Sequence, residues 1–199
     1  MAAGAERALI AQPIIADYIH GSNGLGGVDL PDPTCGLDAR HAVELIIDLL
    51  MSHEPGEITL VPTGALTNIA LAARLEPRIV ERVKNVVLMG GAVNGGNRTA
   101  TAEFNIHTDP EAAAIVFGES WPITMIGLDV THQALATPEA VGQLTALGTG
   151  PAHMATQLID AMRTSYKDNQ DFDNLPMHDP VRDRLRDRPG VVETRVQPR

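Results

Sequence analysis

Three short aliphatic runs set the strongest limit on the fold: Ile58-Thr59-Leu60-Val61, Val86-Val87-Leu88-Met89 and Ile123-Thr124-Met125-Ile126. Each is too short for a helix and rich in residues that suit a pleated surface. Helical patterns stand between them, so the connections are long enough for crossovers rather than hairpins. Strands joined in that way run parallel and need cover on both faces. The fold class is therefore α/β, a mostly parallel sheet with helices on both faces.

The helices are read from spacing. Ala39, Ala42, Val43, Ile46, Leu49 and Leu50 recur at helical intervals, so Asp38 to His53 reads as an amphipathic helix that stops at Pro55-Gly56. Leu66 to Leu75 reads as a second helix and Pro77 opens a short third. Asp109-Pro110-Glu111 is a helix start, with a capping Asp, a Pro at the first helical position and a Glu at the positive end. Thr137-Pro138-Glu139 opens another, and His153 to Tyr166 reads as the last. Residues 20 to 36 and 92 to 105 read as polar loops, while residues 1 to 15 read as a ragged start or the end of a missing element. The tail from Arg182 alternates charges and then gives a short valine-containing run, an edge strand or a frayed end.

The chain has 199 residues, enough for one domain with its own core. Aromatics make up only 3%, so Leu, Ile, Val, Met and Ala must fill that core. The net charge of -10 disfavours a nucleic-acid partner, which wants a basic stripe. Cys35 is the single cysteine, so no intrachain disulfide forms and a cytoplasmic location fits. Glu6 and Arg7 interrupt the first apolar stretch, which makes it a poor signal peptide. The longest apolar candidate, Val43 to Met51, is broken by Glu44 and Asp48, so no membrane span is expected.

Ligands of open α/β sheets gather beyond the carboxyl ends of the strands. Thr63-Gly64, Gly90 to Asn97 and Gly127 to Thr131 occupy such places. None forms a dinucleotide fingerprint or a phosphate loop. Glu103 and Asn105 are two apart, and in an extended segment they would share one side. There a carboxylate and an amide could grip vicinal hydroxyls while Phe104 packs the other way; a polar loop with one anchoring aromatic is the plainer alternative. Asp179 offers an oxygen donor to a hard cation, and His178 a proton near neutral pH. Equally, Asp179 could cap a helix at Pro180 and His178 merely hydrogen-bond. His20, beside Gly21, is a further candidate ligand contact, whereas His107, His132 and His153 have weaker claims. Zinc-protease and serine-hydrolase motifs are absent from the sequence.

Several pieces in order carry a resemblance: His20-Gly21 with Gly24-Leu25, ITLVPTGALTN at Ile58 to Asn68, VVLMGG at Val86 to Gly91, Asn97, AEFN at Ala102 to Asn105, Asp109 to Ala112, and His178-Asp179-Pro180. Over roughly residues 12 to 180 the chain resembles the inosine-uridine preferring nucleoside N-ribohydrolases. The resemblance implies a Rossmann-like core and hydrolysis of the N-glycosidic bond of purine or pyrimidine ribonucleosides, giving ribose and free base with Ca²⁺-activated water. It implies that Asp179 and the Thr63 carbonyl bind Ca²⁺, and that Asn97, Glu103 and Asn105 hold ribose hydroxyls. It further places Met89 along the sugar pocket, Phe104 at the site, His178 beside the departing base, and His20 in a flexible loop that closes on the base. Homodimers or homotetramers are the assembly it implies.

The same resemblance marks a shortfall. Members of that family open with a strand and a D-x-D-P-G-x-D-D segment that supplies most Ca²⁺ ligands and the proton acceptor for water. Nothing before Asp17 matches it, and HDPVRDRLRDRPG stands where an apolar helix commonly follows. The expectation is a single domain over residues 1 to 199 that is incomplete at both ends and lacks its first strand unit. A non-catalytic nucleoside or ribose binder, or an inactive remnant, is the alternative to a working hydrolase.

Overall fold

The computed structural model describes residues 1–180, and the charged tail read above as an edge strand or frayed end lies outside them. Two compact units divide the described residues: Met1–Pro13, Cys35–Val130 and residues 178–180 form one, Ile14–Thr34 and Thr131–Met177 the other.

In the first unit β1 (Thr59–Leu60), β2 (Asn85–Met89) and β3 (Ile123–Ile126) form a parallel sheet in that order, flanked by helices on both faces. Thr59 pairs with Asn85, and Val86 to Met89 pair with Ile123 to Ile126. Val86 to Met89 are all buried, as a middle strand covered on both faces must be. Val86 and Leu88 enter a core with Leu50, Leu60, Leu66, Ile79, Val116 and Trp121, while Val87 and Met89 alternate to the opposite face. Aliphatic residues dominate that core as the composition requires; Trp121, only 1% exposed, is its one large aromatic and donates from its indole nitrogen to the Val116 carbonyl at 2.9 Å.

After the short α1 (Asp17–His20), which belongs to the second unit, α2 spans Ala42–Ser52. It starts later than the apolar spacing predicts. Asp38 is diverted: its carboxylate pairs with Arg40 at 2.6 Å, and its backbone bridges to Ala2. His41 then caps the helix, its ring nitrogen accepting from Val43 N at 3.2 Å, while Glu44 accepts from His41 N at 3.3 Å. At the other end the Arg82 guanidinium donates to the Leu50 carbonyl at 2.7 Å, satisfying an acceptor that the helix terminus exposes. Next come α3 (Thr67–Leu75) and a 3₁₀ turn at Pro77–Glu81, both close to their sequence-based positions.

Beyond β2 lie α4 (Phe104–Thr108) and α5 (Pro110–Gly118). Asp109 stands at the junction, with no solvent exposure. One carboxylate oxygen accepts from Ala112 N at 3.0 Å and caps α5. The other accepts from the Thr67 hydroxyl at 2.6 Å and from Leu9 N at 2.9 Å. A single side chain thus ties α3, α5 and the N-terminal segment together. Asn68 adds to this by accepting from Ala5 N at 2.9 Å, so residues 1 to 9 are not a ragged start.

Following β3 comes the short α6 (Leu128–Thr131), and the second unit continues with α7 (Pro138–Ala146) and α8 (Gly150–Gln170). The sequence reading of α8 began too late, because Thr149 caps the helix and Pro151 sits within its first turn, as the helix-start rule allows. Ile19, Ala136, Ile159, Tyr166 and Leu175 form this unit's own small core. Among the described residues no helix is long and apolar enough to cross a membrane.

Replacing Asp109 by Ala removes a cap and strands the Thr67 hydroxyl and the Leu9 amide. The expected loss is about 3 kcal/mol of unfolding free energy, read from a urea melt at unchanged slope. A loss below ~1 kcal/mol would show that these three bonds are not what joins the segments.

Candidate functional site

Because the three strands are parallel, their carboxyl ends share one edge, and the turns after them meet there. Met89 N reaches the Pro62 carbonyl at 3.4 Å, Gly90 N the Ile126 carbonyl at 3.1 Å, and Leu128 N the Gly91 carbonyl at 2.9 Å. Close approach requires glycine at two places. Gly91 has φ +73° and a Cβ on it would stand 2.8 Å from the Met125 sulfur; a Cβ on Gly127 would stand 2.9 Å from the Gly91 carbonyl oxygen.

Glu103 and Asn105 sit on this edge, but not in an extended segment. Glu103 is the N-cap of α4 and Asn105 lies inside the helix, so the same-side argument from a strand does not apply. The physical cause is the carboxylate itself. One Glu103 oxygen accepts from Asn105 N at 2.9 Å, the other from Ile106 N at 3.1 Å and from Gly91 N at 3.0 Å. The residue is 2% exposed, and these three N–H groups occupy most of the roughly four lone-pair positions of a carboxylate. Asn105 uses its amide nitrogen on the other strand ends: 3.3 Å to the Thr63 carbonyl, 3.1 Å to the Met89 carbonyl and 3.5 Å to the Met89 sulfur. Asn97 accepts from Phe104 N at 2.9 Å. Thr63, Met89, Asn97, Glu103, Phe104 and Asn105, distant in sequence, are therefore brought into one hydrogen-bonded cluster.

The remaining candidates are His178, Asp179 and His20. His178, Asp179 and Pro180 are helical and belong to the same unit, with the His and Asp half-buried and each engaged in an interaction. His20 closes α1 in the second unit, where Gly21 follows at φ +70°. Burial pushes the His20 ring below its ordinary pKa, because desolvation disfavours the charged form.

Ca²⁺ takes six to eight oxygen ligands, most of them carboxylates and carbonyls. The Thr63 carbonyl gives one lone pair to Asn105 and keeps another, so it suits a cation. Among the described residues, however, no group of three or more His, Cys, Asp or Glu side chains could hold a metal ion. One carbonyl and the Asp179 carboxylate fall short of that coordination, and the residues described do not by themselves fit a Ca²⁺ site.

Two organising residues escaped the sequence reading. Asp109 was legible only as a helix cap, and its bonds to Leu9 and Thr67 span separations no local pattern encodes. Asp129 accepts from Val93 N at 2.7 Å, Asn94 N at 3.0 Å and the Asn94 side chain at 2.8 Å. The available signal was its position, two residues beyond the glycine that ends β3.

Comparison with known proteins agrees with this fold. A family model described as inosine-uridine preferring nucleoside hydrolase matches residues 1–185. The inosine-uridine preferring nucleoside hydrolase of Crithidia fasciculata is 54% identical over 181 residues, covering 90% of this chain and 58% of that protein. A pyrimidine-specific ribonucleoside hydrolase of Shigella sonnei is 41% identical over 177 residues, covering 89% of this chain and 56% of that protein. Among solved structures, a purine-preferring ribonucleoside hydrolase from Gardnerella vaginalis superposes with a TM-score of 0.88 at 34% identity, covering 96% of this chain and 62% of the other. The chain thus spans less than two thirds of the length of these relatives.

Glu103→Gln would set an amide NH₂ against backbone N–H groups. It is expected to destabilise the first unit by about 1–2 kcal/mol, seen as a lower urea midpoint; an unchanged midpoint would mean the three bonds carry no net weight. For His20, proton NMR should give a titration midpoint below that of a free histidine. Its folded pKa is depressed, so protonation costs stability: the contribution is complete above the unfolded pKa and is lost as pH falls toward the folded one. A midpoint at or above the free value would contradict the burial of the ring.

Proposed function

Since the chain belongs to the inosine-uridine preferring nucleoside hydrolase family, we propose that it binds the ribosyl group of ribonucleosides at the carboxyl edge of its sheet. We infer further that a polypeptide of these 199 residues turns nucleosides over weakly or not at all. The observation that carries the reading is the cluster in which Asn105 bridges the ends of β1 and β2 while Glu103 and Asn97 fix the start of α4. The relatives named above differ in base, being inosine-uridine preferring, pyrimidine-specific or purine-preferring. What such substrates share is the ribose, so a matching set of residues is better read as a sugar grip than as a base reader.

In this reading the Asn97 amide, the Asn105 carbonyl oxygen and the remaining lone pair of Glu103 meet ribose hydroxyls. Met89 and Phe104 line the sugar's apolar face. Hydrolysis would need more. Cleaving the N-glycosidic bond builds positive charge on the ribosyl ring, which carbonyl and carboxylate oxygens can stabilise. His178 would protonate the departing base and His20 would contact it. A Ca²⁺ ion would supply a polarised water, but its ligand set requires carboxylates beyond Asp179. Family membership favours a second reading, in which such carboxylates come from another chain and complete a nucleoside N-ribohydrolase.

Calorimetric titration with ribose and with inosine, each with and without Ca²⁺, tests this. Binding of both is expected, weakened about tenfold or more by Asn105→Ala, with inosine hydrolysis far below the usual enzyme range of about 1–10³ s⁻¹. Absence of binding to either ligand would leave only an inactive remnant, and turnover within that range would overturn the inferred lack of catalysis.

A further inference from the structure

The loop that follows β2 is gripped from two sides. Glu103 accepts from Gly91 N on one side, and the Gly91 carbonyl accepts from Leu128 N on the other. The next residue after Leu128, Asp129, receives three donors, Val93 N, Asn94 N and Asn94 Nδ2, within 2.7–3.0 Å. Those donors, the Val93 N–H foremost, hold its carboxyl below the ordinary aspartate range, so it is a charged acceptor at neutral pH. Hydrogen bonds to a charged acceptor are roughly twice as strong as neutral ones. Over Val93 to Gly95 burial does little to hold the loop, since Val93 is 71% exposed and Asn94 and Gly95 are exposed as well. Beyond them Gly96 N and Arg98 N donate to the Ala100 and Ala102 carbonyls at 3.1 and 3.0 Å, so Asp129 fastens the start of the loop and these bonds its far end. Three residues after Asn94 comes Asn97, whose side chain accepts from Phe104 N at the first turn of α4.

We propose that Asp129 is a positioning residue: its carboxylate fastens the 92–97 loop to the end of β3 and so sets Asn97 against the start of α4. The part of this that concerns ligand, Asn97 standing ready for a ribose hydroxyl, rests on the ribose-binding reading above. Asp129 acts through Val93, Asn94 and Asn97. Its reach from the β3 edge to the α4 start is what separates it from an ordinary loop cap.

Amide hydrogen exchange by NMR, with calorimetric ribose titration, on the wild-type chain, Asp129→Ala and Asp129→Asn tests this. In Asp129→Ala the Val93, Asn94 and Phe104 amides should exchange about tenfold faster and ribose affinity should fall about tenfold, with Ala70 in α3 unchanged. Asp129→Asn keeps one acceptor oxygen and should recover part of both. Faster exchange at Val93 and Asn94 with Phe104 unchanged overturns the proposal, as does no change at any of the three. Should Ala70 also lose protection in Asp129→Ala, the unit has opened, and Asp129→Asn decides on the same Phe104 criterion. A wild-type chain that binds no ribose sinks the ribose reading, while Phe104 exchange still judges Asp129.

Discussion

The site depends on one buried carboxylate. Glu103 takes N–H groups from the turn after β2 and from the first turn of α4, and by doing so decides that a helix begins there at all. Asn105 faces the strand ends only because that helix starts where it does. Without an acceptor at this point, several amides would be buried unsatisfied, which is among the costlier defects in a protein interior. The apolar core brings β2 and α5 near one another; the carboxylate converts nearness into a fixed register between a strand end and a helix start.

Asp109 does for the scaffold what Glu103 does for the site. Both are buried acids that cap a helix while accepting from a segment remote in sequence. Some of the residues they hold, such as Gly91 and Thr67, are small or polar with little apolar surface to contribute, while Leu9 and Ile106 also pack against the core. Burial of Leu, Ile and Val supplies the general drive to collapse, and these directional bonds choose among the collapsed arrangements.

Much of this was legible beforehand. The three strands, the helix starts at Pro110 and Pro138 and the helix after Gly64 follow from period, capping residues and proline. Where the reading slipped, a side chain competed with the local pattern. Asp38 spends itself on Arg40 and delays α2, and Glu103 turns an expected polar loop into a helix start. The cluster at the strand ends was read from family resemblance, since no spacing rule joins Thr63 to Asn105 across 42 residues. The place of Asp129 beyond β3 was legible but its bonds were not: its partners lie about 35 residues upstream in a loop with no periodicity of its own.

Two of the atoms that Asn105 touches are main-chain oxygens, those of Thr63 and Met89. Every amino acid carries that oxygen, so exchanging the side chains there would leave the acceptors in place. What would displace them is a shift of one strand against the next, which carries one carbonyl away from the amide while the other stays. The floor of the cluster is thus written in strand pairing rather than in residue identity. Its vulnerable points are the pleat and the two glycines that let the turns cross, and drift in the flanking side chains can retune the surroundings without touching it.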